Sequence, residues 1–503
     1  MGKIIDKCRG SLIGGAVGDA LGYAVEFSSL SDILKKYGPE GIQDYRLDSN
    51  GFARFSDDTQ MTLFTAEGIL NGAQHDEATD PDAVCRYIEK AYFAWFATQT
   101  AFQLPLSYSW LSNIQDLWCR RAPGNTCLNA LSQIKNGIPV NNDSKGCGGV
   151  MRIAPIGIYY ATHSELLPEQ NAQQTVARIA SDAAYITHHH DMSTLASALA
   201  ALIIFKCIKA DSVDRIILRE IVESSLPVVI DILPNNKQAI PFSNLILKAL
   251  DLAEGNMNER DAIMILGEGW VAEETLAIAL FSVMRHIDDF GKCMVCSVNH
   301  DGDSDSTGAV AGNIIGSIIG YNEIPTKYKE NLELKDVILS VADDLAGESD
   351  SNQMKERYAD HRPYGISQDL TIFAHMKFTP EHITKLGEDD IFVFGSNLAG
   401  RHAGGAARIA REKFGAIEGQ GVGLQGQTYA IPTMQGGVET IKPYVDEFIR
   451  FARNCDQNTF YVTRIGCGIA GFRDEEIAPL FRDALTLYNV RLPESFVRIL
   501  LGC

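Results

Sequence analysis

From the N-terminus to about position 345, apolar residues recur at helical spacing, β-branched runs are few, and glycine- or asparagine-rich breaks separate the segments. This pattern predicts a succession of helices, each burying one face. Two of them carry a stripe at four-residue intervals: Gly10, Gly14, Gly18 and Gly22 near the start, then Gly308, Gly312, Gly316 and Gly320. Glycine weakens a helix interior by roughly 1 kcal/mol relative to alanine, so such stripes need a reason. Close approach of helix backbones supplies one, and it would set neighbouring helix ends side by side at the centre of a bundle. Membrane dimerisation is the other use of such stripes, and Asp19, Glu26 and the short apolar lengths argue against it. The longest apolar run, residues 195–205, is too short to span a bilayer, so no membrane segment is expected.

Residues 346–377 lose this periodicity. The stretch runs through Gly347, Glu348, Ser349, Asp350, Ser351 and Asn352 to His361, Arg362, Pro363, Tyr364 and Gly365. It reads as a linker, part of which docks through its aromatics. Beyond it the texture changes. Ile391, Phe392, Val393 and Phe394, and later Thr459, Phe460, Tyr461, Val462 and Thr463, look like buried strands, each running into a glycine-containing loop before a helical stretch. The expected architecture is therefore multidomain: an all-α domain over 1–345, a linker over 346–377, and a smaller α/β domain over 378–503 with a parallel or mixed sheet. No internal repeat links the two halves.

A chain of 503 residues with 46% hydrophobic and 21% charged residues has the composition of an ordinary globular protein. Its net charge of −20 is unevenly spread, since residues 378–503 hold 13 Lys and Arg against 15 Asp and Glu, leaving −18 on the first 377. An acidic body repels phosphate backbones, which argues against nucleic acid as the main partner. A small phosphorylated ligand held by backbone amides remains compatible with it. The 11 cysteines are scattered, and no secretory signal precedes the first apolar run, which points to reduced thiols and a cytoplasmic setting. Cys293 and Cys296 form the only close pair and lack a second pair to complete a zinc site, so they read as core sulfur.

Candidate chemistry concentrates in two acidic clusters almost 250 residues apart: Ser56, Asp57, Asp58 and Thr59, and Asp303, Ser304, Asp305, Ser306 and Thr307. Each stands where an apolar helical run begins. Either alone reads best as a helix N-cap. Brought together, four carboxylates would repel one another and resist burial, and would need cations among them. An all-oxygen set suits Mg²⁺ or Mn²⁺ rather than zinc. Glu26 closes the first glycine-rich segment, and alone it reads as a solvated helix-end acid. Gly146, Cys147, Gly148 and Gly149, ahead of an apolar helix, form a loop able to present amides to a phosphate. Cys147 has no sequence context for a nucleophile. Thr187 precedes three consecutive histidines, His188, His189 and His190, which on a helix would point three ways, with Asp191 beside them to stabilise a helix-edge histidine.

In order and spacing, residues 10–27, Ser56 to Thr59, residues 146–155, Thr187 and His188, residues 269–274 and residues 299–316 together resemble the ADP-ribosylglycohydrolases, relatives of the dinitrogenase-reductase-activating glycohydrolase. The resemblance implies an all-α orthogonal bundle over residues 1–345 with two Mg²⁺ or Mn²⁺ ions in a cleft. Carried over by position, the metal ligands would be Ser56, Asp57, Asp58, Asp303, Asp305 and Ser306, with serine at 56 and 306 where relatives often have threonine. Glu26 would sit beside the distal ribose of ADP-ribose, residues 146–149 would cradle its diphosphate, and His188 would line the adenosine end. Glu26 or Asp303 would act as the base for the attacking water; the sequence leaves that choice open.

In the C-terminal part, Gly395, Ser396, Asn397, Leu398, Ala399 and Gly400, then Gly404 and Gly405, resemble the ribose-binding loop of macrodomains, with Ser396 and Asn397 where a doubled asparagine is usual. Gly466, Cys467, Gly468, Ile469, Ala470, Gly471 and Phe472, after a strand, resemble their phosphate-binding loop. The resemblance implies ADP-ribose binding by Asn397, Gly466, Gly468, Ile469, Ala470, Gly471 and Phe472; a plain α/β sheet with tight turns would also use these glycines. The expected activity is metal-dependent removal of ADP-ribose from modified protein side chains, with ADP-ribose or ADP-ribosylated protein as partner. The alternatives are a catalytically silent ADP-ribose binder and a hydrolase of another phosphorylated small molecule.

Overall fold

The computed structural model describes residues 2–501 apart from 101–105, 107, 137, 169, 234–235, 359–377, 381, 388, 454, 456–457 and 488. Up to Tyr358 the chain is helical: α1 (Gly2–Tyr23), α2 (Leu30–Tyr37), α3 (Asp57–Gln74), α4 (Pro81–Thr100), α5 (Asn125–Lys135) and α6 (Ala154–Thr162) come first. They are followed by α7 (Ala172–Tyr185), α8 (Asp191–Lys209), α9 (Arg215–Asp231), α10 (Ala239–Glu254), α11 (Glu259–Leu266) and α12 (Ala272–Arg285). The series ends with α13 (Phe290–Val298), α14 (Ser304–Ile319), α15 (Thr326–Glu330), α16 (Lys335–Leu345) and α17 (Ser351–Tyr358). Two units emerge from the contacts, residues 1–96 with 106–361, and residues 97–105 with 362–503.

The first unit is organised on α1 and α14, which run against each other along their glycine stripes. A β-carbon added at Gly308 would lie 2.5 Å from the Gly18 carbonyl oxygen, and one at Gly10, Gly14, Gly312 or Gly316 would strike the facing helix backbone in the same way. The stripes therefore mesh antiparallel, Gly10 with Gly316, Gly14 with Gly312, Gly18 with Gly308, and Gly22 with Ser304. Gly320 stands outside this run, closing α14 at a φ of +84°. Both helices are buried round nearly their whole circumference.

Helix α8 is apolar on every side and meets the length and hydropathy of a membrane span, but 89% of that stretch is buried within the unit. It is a core helix. The segment expected to begin a linker at 346 instead carries α17. Its Tyr358 is buried and donates to Asp344 Oδ2 at 2.5 Å, while Arg357 pairs with the same carboxylate at 2.7 Å. The rest of the expected linker, residues 359–377 with His361 to Gly365, lies outside the described residues.

Among the described residues, the second unit holds a five-stranded mixed sheet of β1 (Asp390–Ser396), β2 (Gly423–Gln425), β3 (Thr428–Pro432), β4 (Thr459–Val462) and β5 (Val490–Arg491), in the order β2-β3-β1-β4-β5. Only β2 runs antiparallel to its neighbour. Strand β1 is central and covered on both sides. Ile391 and Val393 pack with Ile441, Val445 and Phe448, while Phe392 and Phe394 pack with Ala407, Ala410 and Phe414. Double coverage explains why β1 reads as an unbroken apolar run rather than an alternation. Each such side chain contributes roughly 2 kcal/mol by leaving water.

Candidate active site

Meshing of the glycine stripes decides where the acidic residues stand. With Gly22 against Ser304, the start of α14 lies on the last turn of α1. Asp19, one turn back on α1 and fully buried, accepts the backbone N–H groups of Ser56 at 2.8 Å and Thr59 at 2.9 Å, and the Thr59 hydroxyl at 2.5 Å. This holds the start of α3 onto α1, so the two acidic clusters, distant in sequence, face one region. Asp19 had served in the sequence only as an argument against a membrane helix. An acid inside a glycine-striped apolar helix was the signal of a structural anchor.

Ser56 caps α3 by accepting Asp58 N–H at 3.2 Å, and Asp57 Oδ2 accepts Gly124 N–H at 3.3 Å. Asp303 caps α14, and Ser306 N–H is shared by Asp303 Oδ1 at 3.2 Å and Asp305 Oδ1 at 3.0 Å. The N-cap reading is therefore true of both clusters, and their juxtaposition adds a second property. Burial first, then the charge of Asp305, pushes the carboxyls of Asp57, Asp58 and Asp303 well above the usual range. Helix α1 stops at Tyr23, so Glu26 sits in the following turn rather than at the helix end. Burial, with Asp305, Asp303, Asp57 and Asp19 around it, pushes its carboxyl up to about 10. Glu26 Oε2 and Asp58 Oδ2 are buried and have no hydrogen-bond partner among the described residues. Glu26 is thus a buried acid of the cluster, not a solvated one.

Residues 146–149 form a 3₁₀ turn beside these acids, tied down by the segment after α11. Ala272 N–H donates to Lys145 O at 2.8 Å, and Cys147 N–H to Trp270 O at 3.3 Å. Asp303 N–H donates to Glu268 O at 2.9 Å, so one strap joins the glycine turn to the start of α14. The Cys147 thiol lies against Asp303, Asp58 and Ser306, and burial pushes it well above its ordinary value, which leaves it protonated and a poor nucleophile.

The three histidines lie in a turn and at a cap, not on a helix. His189 stacks on Tyr185 with ring centres 4.1 Å apart, and His190 caps α8 by accepting Met192 N–H at 3.0 Å. The cap acts ahead of Asp191, which is the first residue of the helix. His188 is buried beneath the glycine turn: a β-carbon at Gly146 would meet its Nε2 at 3.3 Å, and one at Gly148 its Cε1 at 2.8 Å. Its Nδ1 lies 2.8 Å from Thr187 Oγ1, which also accepts from Arg152 Nη2 at 2.7 Å. The threonine hydroxyl thus links the Arg152 guanidinium to the His188 ring. The Nε2 edge of the His188 ring faces the glycine turn. Burial, followed by Arg152, lowers its pKa to about 3 and keeps it neutral. Arg152, wholly buried over the Tyr92 ring at 4.3 Å, is a residue the sequence reading missed because only the fold brings it behind His188.

A cleft of about 520 Å³ opens alongside, lined by Lys145, Glu268, Trp270, Val271, His300 and Asp301 among others. At its rim Trp270 stacks on Phe27 with ring centres 6.1 Å apart, and both rings are exposed.

In the second unit the two glycine loops follow β1 and β4, adjacent parallel strands, so they leave the same edge of the sheet. A β-carbon at Gly404 would lie 3.0 Å from Ile469 Cδ1, which places the loops in contact. Gly466 and Gly471 take φ of +75° and +81°, and Phe472 N–H closes the loop on Gly466 O at 3.1 Å. Gly468 has open space beside it, and Ile469 is exposed. Asn397 spends its side chain on its own loop, donating to Arg401 O at 2.9 Å and accepting Arg401 N–H at 3.2 Å.

Comparison with known proteins bears on the first unit. A family model described as ADP-ribosylglycohydrolase matches residues 2–354. The ADP-ribosylarginine hydrolase Tri1 of Serratia proteamaculans is 25% identical, over 68% of this chain and 79% of that protein. The ADP-ribosyl-[dinitrogen reductase] glycohydrolase of Rhodospirillum rubrum is 23% identical, over 66% of this chain and 92% of that protein. The ADP-ribosylhydrolase ARH3 of Bos taurus is 22% identical, over 66% and 90% respectively. The family match ends at residue 354, ahead of the sheet of the second unit.

Proposed function

This chain belongs to the ADP-ribosylglycohydrolase family and is a glycohydrolase of ADP-ribosyl linkages, and from there we propose that it cleaves the N- or O-glycosidic bond joining ADP-ribose to protein side chains, using a pair of hard divalent cations. The observation that carries the metal reading is the meeting of two acidic helix starts around buried, unpartnered oxygens of Glu26 and Asp58. The donor set is all oxygen, as Mg²⁺ and Mn²⁺ prefer, and carboxyls forced this far up would ionise fully only beside positive charge. Ser56, Asp57, Asp58, Asp303, Asp305 and Ser306 would hold the ions, which supply Lewis-acid charge when bound. Residues 146–149 would present their amides to the diphosphate, and neutral His188 would turn the Nε2 edge of its ring toward the adenosine side. Glu26 or Asp303 would take the proton of the attacking water, and the upward push on both suits an acid able to accept and return it.

Glu26→Gln tests this division of labour. ADP-ribose affinity should stay within roughly tenfold of wild type, while turnover of ADP-ribosylated peptides in Mg²⁺ should fall by about a hundredfold or more. Affinity and turnover falling together would make Glu26 a ligand contact instead of a proton carrier.

For the second unit we propose metal-independent binding of ADP-ribose at the loops following β1 and β4. Ligands bind off the carboxyl ends of parallel strands, and loop 466–472 turns its free space outward at Gly468. A fragment of residues 378–503 should bind ADP-ribose with micromolar to sub-millimolar affinity by calorimetry, in EDTA. A β-carbon at Gly468 would have no neighbour within 4 Å among the described residues, so Gly468→Val should leave the fragment folded and abolish binding. Equal heats for the two fragments would confine these glycines to the turns.

A further inference from the structure

Three donors of different chemistry meet at a place that shares no residue with the acidic clusters. Glu259 opens α11, His286 follows the last residue of α12, and Cys296 lies on α13. One carboxylate oxygen, one imidazole nitrogen and the sulfur all lie within 4.8 Å of one another, with His286 Nε2 at 2.8 Å from Glu259 Oε1. Cys296 is buried, whereas Glu259 and His286 are partly exposed, so the cluster is closed on the protein side and open to water on the other.

We propose that Glu259, His286 and Cys296 form a second cation site, for a thiophilic divalent ion of the Zn²⁺ class with water as its fourth ligand. Thiolate and imidazole select zinc over the hard ions suited to an all-oxygen set, and one cysteine, one histidine and one carboxylate complete three corners of a tetrahedron. On binding, the Cys296 thiol loses its proton to solvent, the hydrogen bond from His286 Nε2 to Glu259 Oε1 breaks as that nitrogen gives up its proton, and His286 ligates through Nε2 as the neutral imidazole with its remaining proton on Nδ1. Burial raises the free thiol to about 12, so affinity should increase with pH as the ion competes with that proton. The ion would pin α11, a helix of eight residues whose Arg260, Ile263 and Met264 line the cleft beside Trp270, onto α12 and α13. The pair Cys293 and Cys296 gave no hint of this, because the other ligands come from different helices.

Cobalt substitution tests the assignment independently of catalysis. The full chain, stripped with chelator and then held in excess Mg²⁺ to occupy hard-ion sites, is titrated with Co²⁺. A near-ultraviolet thiolate-to-cobalt charge-transfer band should grow in wild type and disappear on adding Zn²⁺. Cys296→Ser should abolish the band. His286→Gln and Glu259→Gln, at partly exposed positions that tolerate change, should weaken Co²⁺ affinity at least tenfold and still fold. Cys147→Ser, at a thiol that lies against Asp303 and Asp58, should keep the band. Absence of the band in wild type, its persistence in Cys296→Ser, or its loss in Cys147→Ser would overturn the site and leave Glu259 and His286 as a hydrogen-bonded pair.

Discussion

Asp303→Asn should lower hydrolysis of ADP-ribosylated peptides by about a hundred- to a thousandfold while the chain remains folded. Asp303 caps α14 through an oxygen that asparagine retains, so the helix start should survive the change. What disappears is one negative charge from a buried group in which burial and Asp305 already oppose ionisation. Without metal, the variant should therefore melt at or slightly above the wild-type temperature. In saturating Mg²⁺ or Mn²⁺ the order should reverse. An ion that binds only the native state adds about 2.7 kcal/mol at a hundred times its Kd, and the variant should lose most of that gain. Melting curves with and without EDTA, alongside activity, check both halves. Undiminished turnover in excess EDTA, or no metal effect on wild-type melting, would remove the metal from the mechanism.

Gly312→Ala should destabilise the first unit by about 3 kcal/mol or more, and Gly312→Val should prevent it from folding. The sign is the diagnostic part. Alanine in place of glycine inside an ordinary helix stabilises by roughly 1 kcal/mol. At position 312 the added methyl would drive into the Gly14 carbonyl on α1, where neither backbone can retreat without unmeshing the whole stripe. Because the same contact sets the acidic starts of α3 and α14 in register, any folded Gly312→Ala protein should also show weakened Mg²⁺ affinity. Thermal and denaturant unfolding of the full chain decide it, and a melting temperature at or above wild type would mean that the stripes are not tightly packed.

Much of this was legible along the chain. The helical period to position 345 and the apolar runs at 391–394 and 459–462 follow from burial on one face or two, a property that periodicity records directly. The glycine stripes announced a close helix pair, because no other soluble use offsets their cost. The acidic pairs at 57–58 and 303–305 were visible as residues, and as helix starts. Their shared burial was not visible, nor was the anchoring of Ser56 and Thr59 by Asp19, since hydrogen bonds across 37 and 40 positions leave no periodic trace. The same limit hid α17 within an apparent linker: a tyrosine and an arginine on it meet the buried Asp344 and the Trp110 ring, contacts that no local spacing records.

The histidines make the division plain. Sequence alone determined that an ionisable ring stands at position 188, next to a hydroxyl and ahead of a core helix. Only the tertiary structure decided that this ring is buried and neutral, because the fold desolvates it and brings Arg152 beside it, onto Thr187 from 35 residues away. Local spacing dictates which elements form and which face each must bury, since those choices depend on neighbours within a turn or two. Charge state, proton position and ligand geometry depend on which distant groups are desolvated together, and that is settled only when the glycine-lined helices close on each other.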